Sequence, residues 1–239
     1  MNPFFYIKEI SSEKEIELDE ENSKYIVQVL RMKKGEELHL TNGKGVLLHC
    51  SIIDDHKRHC IVMAGTSNYT APSSKNKIAI SILKNSSRFE WFLEKATEIG
   101  ISEIFPLICK RTEKQKFRQD RMEQICISAM LQSQQCWLPV LNEPIAFEKF
   151  IEQDFSSINK MIAHCEDSEK KGIRDWESGI GRSSHLILIG PEGDFSHEEI
   201  GSAINKGFQP VSLGQTRLRT ETAGIVAATL LANHSAISS

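Results

Sequence analysis

The sequence predicts an α/β protein in two parts, a small β-rich N-terminal domain and a larger C-terminal domain built on a mostly parallel sheet. Three observations carry that expectation. Short strand-like runs crowd the first 70 residues, with one helical interruption. A polar, proline-bearing stretch without periodicity follows, Asn68-Tyr69-Thr70-Ala71-Pro72-Ser73-Ser74-Lys75-Asn76, and reads as a linker. From Lys77 onward apolar strands and amphipathic helices alternate, the rhythm of parallel β-α units. The domains are therefore expected at residues 1–70 and 71–239.

In the first part, Phe4-Phe5-Tyr6-Ile7, Glu37-Leu38-His39-Leu40, residues 46–53 and Cys60-Ile61-Val62-Met63 read as strands, and residues 23–30 as a helix. Thr41-Asn42-Gly43-Lys44-Gly45 joins two of the strands as a hairpin, because Asn-Gly accepts positive φ. Short strands at this spacing predict a small barrel. In the second part, strands are expected at 78–83, 104–108, 160–164, 185–189 and 211–213, and helices at 88–99, 120–135, 197–206 and 221–234. Phe89, Phe92, Leu93, Ala96 and Ile99 form one apolar stripe at helical spacing. Ser87 and Glu90 fit a capping box for that helix, and Gly100 can end it in the left-handed conformation.

Composition excludes several classes. With 40% hydrophobic and 26% charged residues in 239, the chain can bury a core and is not disordered. No apolar run approaches the ~20 residues of a membrane helix; the longest, 223–232, is interrupted by Gly224 and Thr229. The opening Met-Asn-Pro-Phe-Phe-Tyr soon turns acidic, unlike a secretory signal. Six cysteines without a CxxC pair then read as reduced thiols of a cytoplasmic protein. His56, His59 and Cys60 follow Asp54-Asp55 in a polar turn and read as a solvated loop, so no metal is expected. The net charge of −3 means that a nucleic-acid partner would be held by local basic patches.

Two loops stand out. Leu186-Ile187-Leu188-Ile189 is a buried strand that runs into Gly190-Pro191-Glu192-Gly193-Asp194. Ser196 and Glu199 then form a capping box, with Phe195 and Ile200 placed as its hydrophobic staple. A tight loop thus sits at the carboxyl end of a strand, where open α/β sheets bind ligands, and Gly190 and Gly193 would let the backbone approach one. A plain strand-to-helix turn is the equal alternative. The second loop runs Leu213-Gly214-Gln215-Thr216-Arg217-Leu218-Arg219-Thr220-Glu221, from a short strand into an apolar helix with Thr220 as N-cap. Neither loop has dinucleotide-fingerprint or P-loop spacing, which argues against a nicotinamide enzyme or an NTPase.

The Gly190-Pro191-Glu192-Gly193 run, followed by Leu213-Gly214 and Leu218-Arg219-Thr220-Glu221-Thr222-Ala223, resembles the ribosomal RNA small subunit methyltransferase E family of the SPOUT superfamily. The resemblance spans the chain. Val29-Leu30-Arg31-Met32 with Gly35, and Asn42-Gly43-Lys44-Gly45, match the family's N-terminal domain; Glu94-Lys95-Ala96-Thr97-Glu98-Ile99-Gly100 and Pro106 match the start of its catalytic domain. It implies a PUA-like β-barrel that binds RNA, then a SPOUT α/β domain with a trefoil knot. It also implies S-adenosylmethionine as methyl donor, a homodimer, and N3-methylation of a uridine in 16S rRNA, in helix 44 of the decoding region. The substrate it implies is naked 16S rRNA or the 30S subunit.

On that resemblance the cofactor is expected at His164, Ile189, Gly190, Pro191, Glu192, Gly193, Leu213, Gly214, Leu218, Arg219, Thr220, Glu221, Thr222 and Ala223. Arg219 is the expected catalytic residue, since a cation favours the deprotonated uridine ring. Glu192 and Glu221 could accept the N3 proton or, the favoured role, bond backbone N–H groups to shape the loop. His164 could line the pocket or simply pack. Residues 109–121 hold six cations against two carboxylates, and 24–45 five against two. Both can be solvated faces or phosphate contacts. RNA is expected at Lys24, Arg31, Lys33, Lys84, Arg88, Arg111, Lys114, Lys116 and Arg118.

The chain departs from the family pattern at Met1-Asn2-Pro3, at Lys24 and Tyr25, at Leu131, Gln132 and Gln135, and at Asp194. The first three changes touch expected RNA-facing surface. Asp194 falls on the cofactor loop, where Asp tolerates positive φ better than most residues. Two other functions fit the same fold, an RNA-binding assembly factor without catalysis and a related enzyme acting on tRNA. A cysteine-nucleophile methyltransferase finds no cysteine in either loop.

Overall fold

The computed structural model describes residues 2–10, 13–72, 74–113, 116–167, 170–173 and 184–237. The chain divides into two compact units, Met1–Pro72 with Met130–Leu138, and Ser73–Ala129 with Pro139–Ser239.

The first unit holds strands β1 (Phe4–Tyr6), β2 (Glu15–Glu17), β3 (Glu37–Thr41), β4 (Val46–Asp54) and β5 (Ile61–Tyr69), in the order β1-β3-β4-β5-β2. Alternation builds its core: Leu38 and Leu40 of β3, Leu48, Cys50 and Ile52 of β4, and Val62 of β5 all point inward. Register shifts between Leu48 and Cys50 and between Ile52 and Asp54 curl the β4–β5 pair. The result is a half-barrel, the PUA-like form of the expected barrel, with β1 and β2 as its two edges. Strand β2 was not foreseen, because only Ile16 of its three residues is apolar. The helix starts earlier than expected. α1 (Glu20–Lys24) is capped by Asp19, which accepts the Asn22 N–H at 2.8 Å, and the chain widens into a π-turn over Tyr25–Val29.

The expected hairpin forms between β3 and β4, with Gly43 and Gly45 both at positive φ. Gly45 meets a second requirement. A Cβ there would lie 2.7 Å from the Trp137 ring and 2.7 Å from the Thr70 carbonyl. The Gly45 N–H bonds the Cys136 carbonyl at 2.7 Å and the Leu138 N–H bonds the Gly43 carbonyl at 2.9 Å, so residues 136–138 lie along the hairpin.

The second unit is built on a sheet in the order β11-β13-β10-β12-β6-β7-β8, with every recorded pairing parallel. Its strands are β6 (Lys77–Ser81), β7 (Glu103–Ile108), β8 (Val140–Leu141), β9 (Ile145–Ala146, paired with β7), β10 (Asn159–Ala163), β11 (Lys171–Gly172), β12 (His185–Ile189) and β13 (Gln209–Ser212). Its helices are α2 (Ser86–Ile99), α3 (Gln119–Gln132), α4 (Phe147–Ile151), α5 (His197–Asn205) and α6 (Thr220–Ile237). All five residues of β12 are buried, as a two-sided parallel strand requires. β8, β9, β11 and α4 are too short to show a period and escaped sequence reading.

Three local expectations need correction. The cap of α2 is Asn85, whose side chain accepts the Ser87 N–H, and not the Ser87–Glu90 box. Glu90 is drawn away by Arg121, which donates two hydrogen bonds to it at 2.7 and 2.8 Å. α6 begins at Thr220, and the Ala223 N–H bonds the Arg219 carbonyl, so Thr220 is the first helical residue and not the cap. The linker also ends differently. β5 runs through Tyr69, and Asn76 is fully buried, donating to the Leu231 carbonyl and meeting the His185 ring, each at 3.0 Å. Gly100 ends α2 at φ 90°, as expected.

α6 packs on α2 through a missing side chain. A Cβ at Gly224 would lie 2.6 Å from the Phe92 ring and 2.9 Å from Ile80. Alanine favours a helix over glycine by about 1 kcal/mol, but overpacking costs about 1–3 kcal/mol. Gly224→Ala is therefore expected to lower the melting temperature by several degrees, about 2–4 °C per kcal/mol at this size. A raised melting temperature would show that Phe92 moves aside freely.

Candidate functional site

Strand β10 is hydrogen-bonded on one side to β12 and on the other to β13. The carboxyl ends of these three neighbours open into one cavity of about 710 Å³. That size lies within the range of small-ligand sites. The two loops singled out in the sequence thus flank a third segment, the end of β10, and all three wall the same space.

From β12, Ile189, Gly190, Pro191 and Glu192 line the cavity. From β13 and the loop after it come Leu213, Gly214, Leu218 and Arg219, and from the start of α6 Thr220 and Ala223. His164 lines it from β10. Three expected residues stand outside the wall: Gly193, Glu221 and Thr222. Gly193 turns its carbonyl to Arg111. Glu221 is 93% buried beside Arg88, whose Nε lies 3.7 Å from Oε1, and its Oε2 finds no partner among the described residues.

Gly190 carries a requirement that the sequence did not show. A Cβ there would lie 3.0 Å from the Phe195 backbone nitrogen and 3.0 Å from its ring. The glycine makes room for Phe195. Phe195, so admitted, packs in the core with Ile200, and the capping box of α5 closes as expected: Ser196 accepts the Glu199 N–H and Glu199 accepts the Ser196 N–H. The second oxygen of Glu199 accepts the Lys110 N–H at 2.8 Å.

Asp194 adopts the left-handed conformation at φ 65°. Its Oδ2 accepts the Cys165 N–H at 2.7 Å and its Oδ1 the Phe195 N–H at 2.8 Å. It lines the cavity, as do Cys165, Lys170, Gln215 and Arg217, none of which was expected there. The strand-end rule applied to β10 would have found Cys165. Lys170 Nζ donates to the His164 carbonyl at 2.8 Å. Burial and then the Asp194 charge hold the Cys165 thiol above its ordinary range, so it stays protonated. Burial likewise pushes Cys109 up to about 12 and Cys126 to about 11.

Several expected RNA contacts are engaged within the protein. Arg111 Nη1 donates to the Gly193 and Phe195 carbonyls at 2.7 and 3.2 Å and clamps the loop. Lys84 pairs with Glu113, and its backbone N–H is accepted by Glu192, which takes the loop-shaping role. Arg88 stands by Glu221. Lys24 pairs with Glu20 at 2.7 Å, an exposed pair of little energetic weight, and Lys33 with the half-buried Asp55 at 3.5 Å. Lys116, Arg118 and Arg31 are exposed. Lys114 lies outside the described residues. Among the described residues no cluster of metal-ligating side chains occurs, and no helix is long and apolar enough to cross a membrane.

A parallel sheet with a ligand-sized cavity at adjoining strand ends, in a chain that begins with a curled sheet, defines an α/β methyltransferase of the SPOUT class. The RNA methyltransferase domain family matches residues 71–232, and the RNA methyltransferase PUA domain family residues 18–62. The chain belongs to the ribosomal RNA small subunit methyltransferase E family. The relative from Mesomycoplasma hyopneumoniae is 37% identical over 64% of this chain and 67% of its own length. That from Synechocystis is 30% identical over 85% and 68%. The Neisseria gonorrhoeae crystal structure of this name, bound to S-adenosyl methionine, superposes with a TM-score of 0.87 at 25% identity, covering 98% of both chains.

His164 carries a pH signature. It is 9% exposed, and both ring nitrogens are buried without a partner among the described residues. Burial, then the nearby Lys170 charge, lowers its pKa below 6.5. Well above pH 6.5 both folded and unfolded forms are neutral and the group is silent. As pH falls below 6.5 the unfolded chain takes a proton that the folded chain refuses, so stability drops, by at most about 1.4 kcal/mol per pH unit. His164→Gln is expected to flatten the fall in urea midpoint between pH 7 and 5. Equal slopes in the two proteins would show that the folded ring protonates normally.

Proposed function

We propose that this protein uses S-adenosylmethionine to methylate N3 of a uridine in 16S rRNA, in helix 44 of the decoding region, acting in the cytoplasm on free rRNA or the 30S subunit. One observation carries the reading: the cavity at the three strand ends is lined by an exposed arginine, Arg219, whose side chain has no ion pair among the described residues. The cavity suits the cofactor in a second respect, because His164 presents two buried, unpartnered ring nitrogens at its wall, as a site built for a polar ligand would.

When bound, S-adenosylmethionine supplies a methyl group already activated by its positive sulfur. Ile189, Leu213 and Leu218 offer apolar walls to the adenosyl part, and the backbone around Gly214 and Thr220 offers hydrogen-bonding groups. Uridine N3 holds a proton at neutral pH and must release it. The Arg219 guanidinium favours the anionic ring that results. The remaining task is alignment, where effective molarity can contribute about 7–11 kcal/mol. Glu192 accepts the Lys84 N–H through one oxygen; no protein general base is assigned, and the N3 proton passes to solvent water.

α6 supports the homodimer. It is apolar on nearly all sides, and such helices are normally covered all round, yet Ile225, Val226 and Leu230 are only half-buried. A second copy of the chain is the proposed cover.

Mass mapping of nucleosides in 16S rRNA, with and without the protein, is the direct test: N3-methyluridine appears in helix 44 only with it. An unmodified site, or a methyl group on another base, overturns the assignment. Arg219→Ala is expected to cut turnover by about 100-fold or more while the melting temperature holds; near-normal turnover removes Arg219 from the reaction. Replacing Lys116 and Arg118 by alanine is expected to weaken RNA binding and flatten its salt dependence by about one to two units of slope. Unchanged affinity at low salt returns that stretch to solvated surface.

A further inference from the structure

The recorded pairings of β10 end at Ala163, which lies opposite Ile189 of β12 and Val211 of β13. The next peptide unit, between His164 and Cys165, lies beyond them, yet it is gripped at both ends. Lys170 Nζ donates to the His164 carbonyl at 2.8 Å, and Asp194 Oδ2 accepts the Cys165 N–H at 2.7 Å. Each gripping side chain is itself anchored. Lys170 Nζ also donates to the Glu166 carbonyl. Asp194 Oδ1 accepts the Phe195 N–H at 2.8 Å, and its backbone holds a left-handed φ of 65° that few non-glycine residues adopt. Residues in that conformation collect at functional sites. His164 stands directly before the gripped peptide. Its ring lines the cavity, is 9% exposed, and carries two nitrogens without a partner among the described residues.

We infer that Asp194 and Lys170 are positioning residues for the methyl donor: by gripping the His164–Cys165 peptide from opposite ends, they set the His164 ring for S-adenosylmethionine. The inference rests on the cofactor reading above and adds two residues that act through His164. A strand end past its ladder turns freely about its last φ and ψ, and a ring carried there swings with it. Affinity survives only where supporting bonds lock the contacting group to within about 0.5 Å. A neutral imidazole has one donor and one acceptor nitrogen, and the hydroxyl and amino groups of a nucleoside can pair with both. The grip also brings no net charge, because an ammonium and a carboxylate meet on one peptide. Direct attraction of Asp194 for the positive sulfur is the rival role. Against it, both carboxylate oxygens already accept backbone N–H groups.

The test is calorimetry of the full chain with S-adenosylmethionine and with S-adenosylhomocysteine, which lacks the sulfonium charge. Asp194→Asn keeps the size and the tolerance of positive φ, but it replaces one accepting oxygen by a donating amide. It is expected to weaken both ligands about tenfold, with the melting temperature held within a few degrees. Asp194→Gly reaches the same φ without strain and is expected to lose as much. Lys170→Met frees the other end of the peptide, should weaken both ligands too, and keeps the test open if the Asp194 variants fail to fold. In a His164→Ala background, Asp194→Asn is expected to cost no further affinity, as action through His164 requires. Parental affinity in all three variants overturns the inference. So does a further tenfold loss on top of His164→Ala, or a loss confined to S-adenosylmethionine, which marks direct attraction to the sulfonium. A parent chain that binds neither ligand ends the cofactor reading and this one with it. A parent that binds both, matched by its variants, ends this one alone.

Discussion

The carboxylate of Asp194 ties together the ends of two neighbouring parallel strands. One oxygen holds the Cys165 N–H beyond β10; the other holds the Phe195 N–H beyond β12. Both bonds depend on the left-handed backbone of Asp194, which turns the carboxylate back across the cavity wall. The turn then feeds Phe195 into the core against Gly190 and starts α5 with its capping box. From the far side Arg111 grips the carbonyls of Gly193 and Phe195. A loop that must shape a cavity in a parallel sheet has no ladder to stiffen it. Here Asp194, Phe195 and the capping box stiffen it from within residues 194–199, and Arg111 from a distant part of the second unit.

That arrangement sorts the basic residues by task. In residues 109–121 the density of positive charge looks like an RNA patch, yet Lys110 pairs with Glu198, Arg111 clamps the loop and Arg121 holds Glu90. The same sort occurs at the loop after β6, where Lys84 and Arg88 face Glu113 and Glu221. A charge count along a sequence cannot see these partners, because they come from 29 to 133 residues away. What remains for a polyanion is a smaller set, including Lys116, Arg118, Arg31 and Lys34, all exposed.

The fold was legible wherever one face of an element is apolar over several residues. β12, the stripe of α2 and the alternation in β3 and β4 all qualify, and so does the α5 cap, which needs only local residues. Elements of two or three residues, such as β2, β8 and β11, depend on partners that no local pattern records. The cap of α2 was misread because Glu90 has a better partner in Arg121 than the backbone N–H it was assigned. Two of the cavity's three walls were visible as strand-end loops. The third, at Cys165 and Lys170, follows a strand with no glycine or capping signal after it, and only the sheet order brings it alongside.

The glycines at the strand ends show why a motif alone cannot assign a role. At Gly190 a side chain would strike Phe195, so the residue is required by the protein's own packing whether or not a ligand binds. Gly214 is the opposite case. It stands at φ 147° on the cavity wall, and a Cβ there would meet nothing within 4 Å. Its freedom belongs to the backbone and to the open space beside it. Two glycines from one family pattern thus act through different physics: one closes the wall and the other leaves room in front of it. The first kind of contact positions the next helix, because Phe195 cannot seat, and α5 cannot start where it does, unless Gly190 gives way.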